Sequence, residues 1–473
     1  MVFLNLFHHS LLYHMISIEQ LPDRFNISYF GKSGQVEFKE IAIPKTEKYK
    51  WEYAGSERKD PFFMSWDEKP VKRVRSNFLN KFRTEEFLSS LPADVTKEIY
   101  EFNQPEIWFC DIEVEVEEEF PDPNQASTSV LTVALVNSDG HAYVLGLKKL
   151  SSSQILSIQN RMRSYFEKFN VEILFQYDYF ESEGEMLSTL FEKWFKKIPL
   201  LTGWNFIGFD WKFLINRAKR LGIDPASCSI NRVLVGEEHI PMHKVVVDYL
   251  DLYKKWDRVV KLKENSKLDT VALAALGVSK VKYNGTFMDL YISDFETYVY
   301  YNAVDTFLVY LIDKKIKTMQ TFLMLGNVTK VEAAKVFSPI WMTEAVVTRE
   351  FYTRKRVVVS EFKKSIKGTS YEGGYVKTPI PGMHEMIATF DFASLYPSTM
   401  RQWNISPESY KGKNVDLQNG WIKTASGAVF DNKEDSVMRT ILTDLYAKRK
   451  ESKNMSFDIE KEISILEKSL ISK

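Results

Sequence analysis

The chain has 473 residues, 44% of them apolar and 27% charged, with 63 Lys and Arg balanced by 63 Asp and Glu. That composition excludes a disordered or collagen-like chain, and at about 150 residues per domain the length implies about three domains. The two cysteines, Cys110 and Cys228, exclude a disulfide framework and a Cys-rich zinc site, and they suit a reducing compartment. Zero net charge neither demands nor forbids a nucleic-acid partner, because a groove needs only a local basic patch.

Residues 1–15 are apolar, but no Lys or Arg precedes Arg24, so the basic segment and cleavage site of a signal peptide are missing. Met15 is the expected biological start. No run of about 18 apolar residues predicts a membrane-spanning helix, and no membrane partner is expected. Residues 16–103 alternate short β-like pieces such as Ile41-Ala42-Ile43 with polar turns and a helical stretch over 77–91.

Near residue 105 an apolar strand runs into Asp111, and 130–136 and 142–147 read as partner strands joined by the turn Asn137-Ser138-Asp139-Gly140. Helical periodicity covers 151–170 and 184–197. Residues 200–205 form a strand ending in a loop, and a helix over 210–221 stops at Gly222. Apolar pieces at 232–235 and 244–247 flank a polar loop and predict a protruding hairpin. Helices follow at 268–276, 294–317 and within 321–364. The order strand-strand-strand-helix-strand-helix argues for a mixed α/β domain over about 104–320. Residues 387–390 read as a buried strand leading into Asp391, and 431–473 as a charged helix.

Asp111 and Glu113 are two apart in a strand, so their carboxylates share a face while Cys110, Ile112 and Val114 face a core. Adjacent acids repel unless a cation lies between them, and hard divalent cations suit such oxygen ligands. A solvated strand edge explains the pair equally well, since Glu115 and Glu117 to Glu119 continue the acidic run. Asp210, at a helix start after Gly203-Trp204-Asn205-Phe206-Ile207-Gly208, fits either an N-cap or a site where glycines flanking Asn205 let a ligand approach the backbone. Tyr301 and Asp305, four apart, share a helix face; a phenol–carboxylate hydrogen bond on a core helix accounts for them as well. Together, Asp111, Glu113, Asp210 and Asp305 are the donor set that two Mg²⁺-type ions require for phosphodiester hydrolysis, with Tyr301 orienting the attacking water.

These residues carry a resemblance. DIE at 111–113, TGWNFIGFD at 202–210 and YNAVD at 301–305 are similar, in order, to the three exonuclease motifs of family B DNA polymerases. VVDYLDLYKKW (246–256) and KVFSPIWMTEAVV (335–347) resemble the branch from T-even-like bacteriophages. The resemblance implies a ribonuclease H-like 3′–5′ proofreading exonuclease with two Mg²⁺ (or Mn²⁺) ions on Asp111, Glu113, Asp210 and Asp305, Asn205 on the DNA, and the hairpin helping to part primer from template.

The string TFDFASLYPSTMRQWNISPE (389–408) resembles motif A of the same family, and YEGG (371–374) its YxGG element. By that resemblance Asp391 is a catalytic metal ligand of the polymerase, the Leu395 backbone lies near a triphosphate, Tyr396 excludes a 2′-hydroxyl, and Tyr371, Gly373 and Gly374 touch the template strand. Arg449 and Lys453, four apart on a helix, match the family's first fingers helix and suit a triphosphate; a solvated charged face is the bland account of both. An Asp-Thr-Asp motif and a Lys…Asn-Ser-x-Tyr-Gly helix, which the family needs for synthesis, do not occur after residue 409.

The expected organisation is a multidomain α/β and α+β chain: an N-terminal domain over 1–103 completed by about 321–364, the exonuclease over 104–320, the first part of a palm over 365–434 and the start of fingers over 435–473. The expected function is the N-terminal part of a family B DNA polymerase for phage replication, located in the host cytoplasm. It would act on primer-template and single-stranded 3′ ends, and would use dNTPs only with a second polymerase subunit packed on the stripe Ile459, Ile463, Leu466 and Leu470. A stand-alone exonuclease, a non-catalytic primer-template binding module and a truncated gene are the alternatives.

Overall fold

The computed structural model describes residues 15–100, 104–116, 120–261, 265–283, 285–359 and 376–471. The chain divides into two compact units, one formed by 43–92 with 343–473 and the other by 12–42 with 93–342.

The second unit is built on a six-stranded sheet with the spatial order Leu174–Tyr179, His141–Gly146, Val130–Asn137, Ile107–Val114, Leu200–Gly203 and Val245–Asp248. The Val130 strand runs antiparallel to both of its neighbours, and the other adjacent pairs are parallel. This mixed order is the ribonuclease H-like arrangement that the sequence leads one to expect. The central Val130–Asn137 strand is buried along its whole length (VLTVALVN), because both faces are covered by other elements.

Period-two alternation decides what the Ile107–Val114 strand presents on each face. Cys110, Ile112 and Val114 enter a cluster with Leu135, Phe191 and Trp211 on one side. On the other side Phe109 meets Tyr249 and Tyr310 edge-on at ring-centroid distances of 6.2 and 6.0 Å. The helix Phe295–Ile316 crosses that second face. It is capped at its start by Asp294, whose carboxylate accepts from the Thr297 N–H at 3.0 Å, and it ends where Lys317 takes a left-handed φ of 62°. Apart from its ends it is buried nearly all round, so its pattern shows no amphipathic stripe.

Three antiparallel strands, Met15–Gln20, Arg24–Phe30 and Val36–Ala42, belong to the same unit. The expected hairpin is present with a shifted register. Leu234–Val235 pairs with Ile240–Pro241, whereas Val245–Asp248 joins the edge of the large sheet. The Val245 segment is buried on both faces and so takes the sheet edge, leaving Ile240–Pro241 as the returning arm. The Trp211 indole ties this hairpin to the helix Asp210–Arg220 by donating to the Glu238 carbonyl at 2.9 Å. Lys244 is buried, and its ammonium donates to the carbonyls of Phe195, Lys196 (2.9 Å) and Ile198 (2.6 Å), closing the end of the helical segment Leu190–Phe195.

In the first unit, Tyr49–Tyr53 pairs with Val71–Arg75, and Met64–Ser65 pairs in parallel with Arg356–Val357. Trp51, fully buried, donates its indole N–H to Glu86 at 2.9 Å, and Glu86 pairs with the buried Arg83 at 2.7 Å. The helix Leu395–Gln402, a three-stranded sheet of Tyr410–Lys413, Ala428–Asp431 and Trp421–Lys423, and the 35-residue helix Val437–Ile471 follow. Along that last helix Ile459 is half-buried and Ile463 and Leu466 are exposed, while the Leu470 side chain lies outside the described residues.

The expected strand at 387–390 does not form. Ile387 and Phe390 are 70% and 92% exposed, and among the described residues no strand pairs with this stretch. An apolar run becomes a strand only where its N–H and C=O groups meet a ladder. Among the described residues no helix is long and apolar enough to cross a membrane.

Leu135 is fully buried in the Val130 strand. Its replacement by Ala should cost about 2–5 kcal/mol, read as lost hydrogen-exchange protection across the Val130 and Ile107 strands and a lower urea midpoint at unchanged slope.

Candidate active site

Pairing between Ile107–Val114 and Leu200–Gly203 ends at Phe109 opposite Thr202. The stretch Asp111-Ile112-Glu113 therefore projects past the end of its parallel neighbour. The chain leaving that neighbour turns through 204–209 and returns with Asp210, which accepts a hydrogen bond from the freed Ile112 N–H at 3.0 Å. Asp210 is thus a cross-element ligand of the strand and not an N-cap, since the cap residue is Phe209 and makes no side-chain cap bond. The carboxyl ends of parallel strands in an α/β sheet are the usual place for a ligand site.

The glycines around Asn205 have a structural cause. A Cβ on Gly203 would lie 2.2 Å from the Cys110 carbonyl oxygen, and one on Gly208 would lie 2.6 Å from the Asn205 side-chain oxygen. Close approach by the chain itself, and not by a ligand, explains both. Asn205 sits at the turn with a left-handed φ of 58°. The loop is held by Asp248, which accepts from the Ile207 N–H at 3.0 Å and from the Leu250 N–H at 2.9 Å.

The helix Phe295–Ile316 brings three more groups. Asn302, fully buried, donates to Asp111 at 2.8 Å and accepts from the Thr132 hydroxyl at 3.0 Å. Thr132 lies opposite Glu113 on the neighbouring strand, so one buried chain of hydrogen bonds fixes the Asp111 carboxylate. One turn on, Asp305 is 2% exposed and pairs with Lys280 at 2.5 Å, and the Tyr301 hydroxyl stands 3.4 Å from the same ammonium. Tyr301 is framed edge-on by Tyr283 and Phe287 at 5.5 and 5.0 Å.

Burial raises the pKa values of Asp111, Glu113, Asp210 and Asp305, and repulsion from neighbouring acids adds to the rise of the first three. Burial pushes the Asp111 carboxyl up to about 7, with Asp305 adding repulsion. Glu113 is pushed well above the usual range by burial and then by Asp111 and Asp305, and Asp210 by burial and Asp111. Burial also raises Asp305, although Lys280 and Tyr301 oppose the rise. Burial acts against the Lys280 charge, but Asp305, Tyr301 and Asp111 together outweigh it, so Lys280 keeps its proton.

Two buried acids, Asp210 and Asp305, beside two half-buried ones call for cations. The donor set fits hard divalent ions, and the Asp305 Oδ1 is buried without a hydrogen-bond partner. Among the described residues no group of three His, Cys, Asp or Glu side chains is set to hold a metal ion, and Lys280 supplies the positive charge beside Asp305. Lys280, Asn302, Thr132 and Asp248 were not singled out by sequence reasoning. Asn302 had a visible signal in its place beside Tyr301, whereas Lys280 stands alone in a polar stretch.

The residues expected at a second site are differently placed. Asp391, Leu395, Tyr396, Arg449 and Lys453 are all exposed, Tyr396 to 78%. Arg449 donates to the Ser394 hydroxyl at 3.2 Å, which brings that helix to the turn preceding Leu395. Tyr371, Gly373 and Gly374 lie outside the described residues.

Replacing Lys280 by Met removes the cation beside Asp305. In EDTA the variant should melt lower, by roughly 1–3 kcal/mol of stability. Mn²⁺ should restore it by more than it stabilises the parent chain, because the added ion then meets no competing ammonium; equal Mn²⁺ shifts in a thermal melt would contradict this reading.

Residues 76–271 match the exonuclease domain of DNA polymerase family B, and residues 342–469 match DNA polymerase family B itself. The DNA-directed DNA polymerase of Escherichia phage RB69 is 27% identical over 436 residues, 85% of this chain and 48% of the relative. That of Enterobacteria phage T4 is 27% identical over 430 residues, 84% of this chain and 47% of the relative. DNA polymerase 1 of Sulfolobus acidocaldarius is 29% identical over 359 residues, 70% and 38% of the two chains. The chain spans about half the length of the phage relatives. With the two family matches together spanning residues 76–271 and 342–469, this chain belongs to DNA polymerase family B.

Proposed function

We propose that the 12–42 and 93–342 unit is a metal-dependent 3′–5′ exonuclease that trims single-stranded DNA ends. The observation that carries this reading is the gathering of four mutually repelling carboxylates, with one unpartnered buried oxygen, at the carboxyl ends of two parallel strands.

Asp111, Glu113, Asp210 and Asp305 would hold the divalent ions, which supply the charge that activates water and stabilises a leaving 3′ oxygen. The chain's own groups do the rest. Asn302 holds Asp111 in one rotamer through Thr132. The Tyr301 hydroxyl orients the attacking water by hydrogen bonding, and the Lys280 ammonium beside it offers a second donor to the scissile phosphate. The turn carrying Asn205 borders the site and would touch the strand end. DNA is held through phosphates and stacking, so affinity falls steeply with salt.

For the other unit, Asp391 would be one metal acid of a synthesis site, with Tyr396 as the sugar gate, the Leu395 backbone near the triphosphate, and Arg449 and Lys453 on its phosphates. A second metal acid must come from residues outside this sequence before DNA can be made.

A 5′-labelled single-stranded oligonucleotide with Mg²⁺ or Mn²⁺ tests the nuclease. It should shorten from the 3′ end. Asp111→Asn or Asp305→Asn should slow it by about a thousandfold or more, the equivalent of about 4 kcal/mol. Tyr301→Phe should cost about 10²-fold, and Asp391→Ala should leave trimming unchanged. Survival of the intact oligonucleotide with either ion would overturn the assignment.

A further inference from the structure

The face of the Ile107–Val114 strand that points away from the acids opens at its start into a cleft of about 580 Å³. Its size falls within the roughly 300–1,000 Å³ of small-molecule sites. Trp108 forms part of the wall. It is 8% exposed, and its indole N–H is buried with no hydrogen-bond partner. Leaving such a donor unpaired is costly, and a sheet-core tryptophan ordinarily avoids it by packing against a carbonyl. Trp194 packs edge-on against Trp108 at 5.8 Å and against Tyr143 at 5.1 Å and is half-buried, so part of its ring faces the cleft and can be stacked on.

The rim is cationic. Lys193, Lys196 and Lys197 line the cleft and are exposed. The fourth lysine of the wall, Lys244, is fully engaged by three carbonyls and holds the Leu190–Phe195 segment that carries the others in place. The one acid of the wall, Glu106, already accepts from Gln35 and Asn137 at 3.4 Å each. A flat ring for Trp194, an acceptor for the Trp108 N–H and a dianion for the lysines form one ligand chemistry.

We propose that this cleft binds a small phosphomonoester carrying a flat heterocycle, of the nucleoside monophosphate kind. The phosphate lies on Lys193, Lys196 and Lys197, the ring lies against Trp194, and a ring acceptor displaces that indole far enough to meet the Trp108 N–H. Because alternate residues of the strand face opposite ways, this site is separate from the acids and needs no metal.

Isothermal titration of the full chain with AMP in EDTA tests it. AMP should bind saturably, and adenosine and inorganic phosphate should each bind about tenfold more weakly or worse. Changing Lys193, Lys196 and Lys197 together to Ala should weaken AMP by about tenfold or more. Trp108→Phe, which keeps the ring and removes the donor, should weaken it by about three- to tenfold with an unchanged far-ultraviolet spectrum and melting point. Asp305→Asn should leave AMP binding as it was, which separates this cleft from the acid site. Three results would overturn the proposal: no saturable heat with AMP, phosphate alone binding as tightly as AMP, or affinity unchanged in both the lysine and Trp108 variants. None of these bears on oligonucleotide trimming.

Discussion

The constraint on which the unit built on the six-stranded sheet turns is charge crowding with little solvent, since Asp210 and Asp305 are buried and Asp111 and Glu113 half-buried. Asp111 and Glu113 share a strand face, Asp210 enters from the adjoining loop, and Asp305 comes down from a buried helix. Asp305 makes Asp111 harder to ionise, Asp111 does the same to Glu113 and Asp210, and Lys280 is the cation that answers Asp305. A fold keeps such an arrangement only where surrounding packing over-determines it. Here the packing is a sheet whose central strand is buried end to end and a helix so enclosed that it lacks a polar face. The apolar layers of the sheet and the helix hold the acids in place against their repulsion.

Strand pleating lets one short segment serve two environments. In Ile107–Val114 the residues facing the Phe295 helix end in the acids, while those facing away build the cluster around Phe191 and Trp211 and, at the strand's start, the wall of the lysine-rimmed cleft. A slip of one residue would exchange the two sets. The long antiparallel pairing with Val130–Asn137 prevents that slip, because seven residue pairs would have to break together.

Legibility in the sequence followed the range of the forces involved. Asp-x-Glu in an apolar strand, a strand-loop-helix ending in Asp210, and a Tyr and Asp one turn apart are local patterns, and the structure brings their side chains to one neighbourhood. Lys280 and the Thr132–Asn302 pair were not legible as partners, because each meets its acid across a long stretch of chain with no spacing rule to mark it. The glycines near Asn205 were visible, but their reason was misread: the Cys110 carbonyl and the Asn205 side chain fill the space that a ligand was expected to take. The hairpin was foreseen with its return arm one step too late, since an apolar run such as Val245-Val246-Val247 looks the same in a ribbon and at a sheet edge. The failure at 387–390 has the same root, because apolar content alone does not supply the neighbour a strand needs.

Asp391 shows why a motif and a site are different things. It has the same side chain as Asp111 and an equally specific sequence around it, yet it lies in water, where solvent carries the cost of its charge and no cation is called for. Asp111 is tied by Asn302 and repelled by Asp305, so its ionisation depends on what else enters the pocket. Enclosure and neighbouring acids together raise the cost of a carboxylate's charge, and the strand-end cluster meets both conditions.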